Sequence, residues 1–171
     1  MLPENFSVRR IDRSSDVVLA NLFEHYIYDM AEWFDIDTNT DGRYAYSTAP
    51  IWERGADVFF AYAGVLPIGF GIVGSAQAWI GEEGTRDVQE FFVLRRYRRC
   101  GVGEAFVNHI WDQYRAPWLV RVLQRNLPAL PFWRRTVEAY TGARYREEMR
   151  TIGERSWSYF TFDVTAGAGE H

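Results

Sequence analysis

Residues Glu90–Phe106 read EFFVLRRYRRCGVGEAF, an apolar run entering a turn with four arginines, then glycines at 101 and 103. Glycine lets a backbone come close to a ligand because no Cβ intervenes. The N–H groups of a helix's first turn, at the positive end of its dipole, form a site for anions. Arg95, Arg96, Arg98 and Arg99 add charge-assisted donors around it. The chemistry that suits this turn is the binding of an anionic, phosphate-bearing cofactor. Two familiar glycine loops do not fit. GxxxxGK[ST] needs Lys and Ser/Thr where Glu104 and Ala105 follow Gly103, and GxGxxG needs glycine where Phe106 stands. A capped helix behind a solvated basic turn would give the same spacing.

Other reactive side chains are few. Cys100 lies in the same turn, but no positioned base that would make it a nucleophile is evident. A single cysteine excludes an intrachain disulfide and a multi-cysteine metal site. His25, His109 and His171 show no HExxH or paired spacing, so no metal is expected. His109 is read as a hydrogen-bonded core residue and His25 as exposed.

The elements that position this turn can be read from periodicity. Phe6–Ile11 is a short strand, followed by Ser14, Ser15 and Asp16 as candidate helix caps. From Val17, the positions Leu19, Leu22, Phe23, Tyr26, Ile27, Met30, Trp33 and Phe34 follow helical spacing up to Asp35. Tyr26 and Tyr28 lie on different faces of that helix. Asp37–Gly42 is a loop, and Tyr44–Gly55 holds room for a short helix. Asp57–Gly64 and Pro67–Gly74 form a hairpin, with Gly69 and Gly71 marking a bulge or a close backbone approach. Asp87–Leu94 is a strand and Gly101–Arg115 a helix with a stripe of Val102, Ala105, Phe106, His109 and Ile110. Trp118–Gln124 reads as a strand covered on both sides, Pro128–Thr141 as a helix ended by Gly142, and Ser156–Val164 as a closing strand, with one further strand near it. The result is a mixed α/β chain, helices packing a sheet.

Length and composition agree with one domain over residues 1–164 and a flexible tail over 165–171. Of 171 residues, 47% are hydrophobic and 25% charged, which excludes a disordered chain. No apolar run reaches the ~20 residues of a membrane span, and the N-terminus lacks a signal peptide's apolar core. A cytoplasmic protein with no membrane partner is expected. The net charge of −4 argues against a nucleic-acid partner. All 19 basic residues are arginine, and 13 of them fall between Arg95 and Arg155 against six acids. From Glu24 to Asp57 eight acids face two arginines. Such asymmetry points to two differently charged faces or partners, or to chance drift.

The pattern V-x(4)-R-x-x-G-x-G, here Val93, Arg98, Gly101 and Gly103, resembles the acyl-CoA motif of GNAT acetyltransferases. NLPALPFW, with Asn126, Ala129, Phe132 and Trp133, is similar to that superfamily's N-x-x-A-x-x-F-Y segment. YIYDMAE (26–32), EFFVLRRYRR (90–99) and FWRRTVEAYTG (132–142) resemble a bacterial subgroup of predicted acetyltransferases, so the likeness supplies a reaction class and no acceptor. It implies a GNAT-like fold over residues 6–164: a central, mostly antiparallel sheet splayed at its middle strands and flanked by helices.

The same resemblance implies acetyl-CoA as co-substrate, with Val93 offering backbone contacts to pantetheine. Arg98, Arg99, Gly101 and Gly103 would cradle the pyrophosphate, and Asn126 and Trp133 would contact the cofactor from the later helix. Glu90, three residues before Val93, is where relatives carry a catalytic carboxylate; a strand-edge Glu paired with an arginine is the plain alternative. An acidic first half suits a small cationic amine delivered along the helix bearing Tyr28 and Glu32. Trp133 replaces the tyrosine that protonates the departing thiolate, leaving Tyr140, Tyr97, solvent or unassisted departure. The expected activity is N-acetyl transfer to a primary amine, with a silent acyl-CoA-binding module of the same fold as the alternative; a homodimer stays open.

Overall fold

A computed structural model of the chain describes residues 1–164; the expected tail, 165–171, lies outside the described residues. The strands are β1 (Phe6–Ile11), β2 (Asp57–Ala63), β3 (Leu66–Ser75), β4 (Arg86–Val93), β5 (Pro117–Leu123), β6 (Arg146–Ile152) and β7 (Arg155–Asp163). The helices are α1 (Asp16–Phe34), α2 (Ala49–Glu53), α3 (Gln77–Ile80), α4 (Val102–Asp112) and α5 (Ala129–Thr141). The seven strands form a mixed sheet in the order β1-β2-β3-β4-β5-β7-β6, flanked by helices. β1–β2, β5–β7 and β6–β7 are antiparallel, while β4 and β5 are parallel. That parallel ladder registers Arg86, Asp87 and Val88 with Trp118, Leu119 and Val120.

The chain resolves into two compact units, Met1–Ile72 with Glu90–Val107, and Val73–Gln89 with Asn108 onward. The first has a core of Leu19, Leu22, Phe23, Ile27, Ile51, Val58, Phe60, Phe70, Ile72 and Phe92. Each such side chain contributes ~1.5–3 kcal/mol by leaving water. α1 supplies four of these residues at helical spacing, as its sequence period requires. A 3₁₀ turn at Arg13–Ser15 leads into it, capped by Asp12, which accepts from the Ser14 amide at 2.9 Å. Ser15, one of the expected caps, stands at the N-cap position of α1 without a side-chain cap bond. Asp35, left-handed at φ 54°, closes it. The second unit holds a cluster of Ala76, Leu119 and Tyr159, with Ile80 and Trp157 packed alongside.

The α1–α2 connection is pinned by acids of α1. Glu24 accepts from the Tyr44 and Ala45 amides at 3.0 and 2.8 Å. Asp16 accepts from the Thr48 hydroxyl and the Trp52 indole N–H, both at 2.6 Å. Within the loop, Asn39 folds its carbonyl over the amides of Asp41 and Arg43.

The stripe of α4 differs from expectation. Val102, Phe106, Val107, Ile110 and Trp111 are buried, whereas His109 is exposed. The residues at i, i+4, i+5, i+8 and i+9 carry the core face, and His109 falls off it. β6 is exposed on nearly every residue, including Met149 and Ile152.

Candidate active site

In the first unit, β4 carries Glu90 and Val93 and then bends into the arginine turn. A 3₁₀ turn at Arg95–Tyr97 comes first. Arg99 then takes φ 61° and Gly101 φ 89° before α4 begins at Val102. A Cβ on Gly101 would meet only Leu2 Cδ2, at 3.9 Å, so glycine is required there by backbone angle and not by crowding. The first amides of α4 have no preceding turn to donate to. Cys100 donates its thiol to the Tyr97 carbonyl at 3.1 Å.

Val93 is buried, and its carbonyl accepts from Arg98 Nε at 2.6 Å. The same guanidinium pairs with Asp29 of α1 and lies 5.4 Å from the Phe92 ring centre. Asp29 also accepts from Arg95 Nε and Nη2 at 3.0 and 2.7 Å. Asp29 therefore ties the basic turn to the helix, a link that sequence reading missed because it joins distant segments. Gly69 of β3 lies beneath: a Cβ there would collide with the Phe92 carbonyl and come within 3.2 Å of Val93 Cα. This is the close backbone approach expected of that glycine.

Glu90 is half-buried and accepts from the Tyr26 hydroxyl through Oε2. The Tyr26 ring meets Phe23, Phe70 and Phe92 edge-on. Tyr28 and Glu32, one turn apart on α1, are exposed, and the Arg95 guanidinium stands 5.9 Å from the Tyr28 ring centre. Of the eight acids between Glu24 and Asp57, Glu24, Asp29 and Asp57 are engaged with the protein itself. Glu32, Asp35, Asp37, Asp41 and Glu53 are exposed.

In the second unit, Asn126 shapes the turn into α5, its amide donating to Leu123 O at 2.9 Å and its carbonyl accepting from Ala129 at 3.0 Å. Trp133 is buried on α5 against Trp111 and Phe132. Tyr140 donates to Asp112 at 2.8 Å; burial first, and that bond and charge next, push its pKa well up. Sequence reading missed a buried ion pair here: Asp87 is fully enclosed and pairs with Arg121 at 2.6 Å, whose guanidinium stacks 3.9 Å from the Trp79 ring centre. Burial raises the Asp87 pKa while Arg121 opposes the rise. The signal lay in Arg121, an arginine at mid-strand between Val120 and Val122.

Among the described residues no group of three or more His, Cys, Asp or Glu is placed to hold a metal ion. No described helix is long and apolar enough to cross a membrane.

Residues 20–137 match the acetyltransferase (GNAT) family, and the chain belongs to it. It is an acyltransferase that moves acetyl groups. The fold is similar to that of yncA from Salmonella typhimurium, solved with its cofactor acetyl-CoA, at TM-score 0.66 and 14% identity over 96% of each chain. An acetyltransferase from Thermus thermophilus superposes at TM-score 0.70 with 10% identity, covering 96% of this chain and 100% of that one. Arabidopsis thaliana NAA60, in complex with acetyl-CoA, gives TM-score 0.59 and 16% identity over 94% and 100%. Comparison with curated proteins found no match.

Proposed function

We propose that the chain transfers the acetyl group of acetyl-CoA to the primary amine of a small cationic acceptor, with Glu90 as the general base. The observation that carries the reading is the continuity of one segment: β4 bears a half-buried carboxylate, then Val93, then the left-handed turn at Arg99 and Gly101 that opens α4. The open space at Gly101, the two left-handed residues and the arginines around them fit a diphosphate. Arg99, Gly101 and Gly103 would hold it through backbone amides. Arg98, already bonded to Asp29 and the Val93 carbonyl, would shape the turn and add charge. Val93 would add backbone contacts to the cofactor from the same unit.

An alkyl ammonium has a pKa near ~10.4, so its proton must be removed before the nitrogen can attack. Glu90 accepts that proton, directly or through one water. The neutral nitrogen then bonds to the acetyl carbon as the carbon–sulfur bond breaks, and it gives up its second proton to solvent, from which the departing thiolate takes one up. The thiolate leaves without a dedicated acid, its conjugate thiol having a pKa near ~8.5. Support for unassisted departure is twofold: the Tyr140 proton is committed to Asp112, and the indole at Trp133 has no acidic proton to give. Tyr28 and Glu32, exposed along α1, would receive the cationic acceptor.

Thiol release from acetyl-CoA across a panel of cationic, neutral and anionic amines tests this. Cationic amines should turn over fastest and slow as salt rises; Glu90→Gln should lower kcat/KM near neutral pH by ~10²–10⁴-fold. Preference for anionic amines, or tight coenzyme A binding without turnover, would overturn it.

A further inference from the structure

We propose that Tyr26 is a positioning residue for Glu90: the α1 phenol holds the β4 carboxylate ionised and fixes its orientation, a role that rests on Glu90 being the base. Tyr26 is the one hydroxyl-bearing residue in the apolar stripe that runs through Phe23, Ile27 and Met30, and its O–H reaches Glu90 Oε2. The ring has little freedom. Its centre lies 5.5 Å from Phe23, 5.5 Å from Phe70 and 5.9 Å from Phe92, each in an edge-on arrangement, so α1, β3 and β4 all set where the hydroxyl stands. Behind Phe92, Gly69 lets β3 and β4 approach closely enough to complete that packing.

A carboxylate taken partly out of water tends to keep its proton, which would disable a base before the acceptor arrived. A phenol donor opposes this, because an O–H bond to a charged oxygen stabilises the ionised form. The bond engages Oε2 and thereby sets the rotation of the carboxyl group. Nearby on α1, one turn further along, Asp29 is gripped by the Arg95 and Arg98 guanidinia of the turn; the β3 residue packed on Tyr26, Phe70, is uncharged. Asp29 is already paired with two arginines, and the phenol donates directly to the Glu90 carboxylate, so its removal should be felt there.

The test uses the full chain with glutamate carboxyl carbons labelled with ¹³C and titrated by NMR. Glu90→Gln assigns the resonance. Tyr26→Phe keeps the ring and its three aromatic contacts, and a thermal melt checks that the fold is retained. The Glu90 midpoint should rise by ~1 pH unit in Tyr26→Phe. The acid limb of thiol release, with spermidine as the probe acceptor, should move to higher pH by the same amount while the KM for acetyl-CoA stays constant. A merely structural tyrosine would not shift that limb. An unmoved midpoint overturns the positioning role. A moved midpoint with a wild-type acid limb in Glu90→Gln overturns the base assignment instead, so the two failures are told apart.

Discussion

At residue 101 the backbone angle alone decides the side chain. With φ at 89°, any L residue is strained there whatever the space around it. Gly101→Ala should weaken coenzyme A binding ~10-fold, the equivalent of the ~1–2 kcal/mol that left-handed backbone costs an L residue. Isothermal titration with coenzyme A checks this, and unchanged affinity would separate the turn from the cofactor. Gly69 is a glycine for the opposite reason, since the β4 backbone leaves no room for a Cβ. Both positions were legible in the sequence as glycines that mattered, but the two causes were not, because one is a dihedral and the other a contact with a distant strand. Tyr26 was equally visible, yet only as part of an apolar stripe. Periodicity assigns a residue to a face and says nothing of which polar atom waits across it.

Among the elements, α1 shows what charge counting leaves out. Its acids read as a face for a cation, but Asp16, Glu24 and Asp29 are bound to the α1–α2 connection or to the arginine turn. Carboxylates that accept backbone and side-chain hydrogens give no sign of doing so in a linear sequence. The hydrogen bonds from Thr48 and Trp52 hold the Asp16 pKa below its ordinary value. A carboxyl lowered in the folded state stabilises the fold above its unfolded pKa, and that contribution is lost as pH falls through the folded value. Asp16→Ala should therefore lower the Tm at neutral pH by about 4–8 °C, for about 2 kcal/mol of lost bonding. The difference from wild type should shrink as pH falls below ~4. A gap constant from pH 7 to pH 2 would show that the carboxylate's charge is irrelevant. Most element boundaries followed from spacing. β6 resisted because both its faces are exposed, so no alternation of apolar and polar residues marks it.

For the molecule as a whole, each of the two units has its own buried cluster of apolar residues. The second unit keeps an ion pair in its interior, which is costly unless both partners remain. Asp87→Ala leaves Arg121 unpaired and should destabilise the protein by ~3–5 kcal/mol, read as a lower urea midpoint. Replacing both, Asp87→Leu with Arg121→Met, should recover much of that loss. If the single variant unfolds like wild type, the pair is not closed to water. The family and its mixed sheet were legible from one motif and the order of elements, because the glycine turn and the strands are local features. The sheet ends at β6, and its sequence REEMRTI sets arginines and glutamates along a strand whose outer edge is the last in the order. A bare strand edge is a template on which other copies can add in register, growing toward fibrils. Alternating charge on that border burdens each added copy with desolvation and misaligned like charges, so replacing Arg146, Glu148 and Arg150 with threonine would hand the protein a route to aggregation that its present surface denies it.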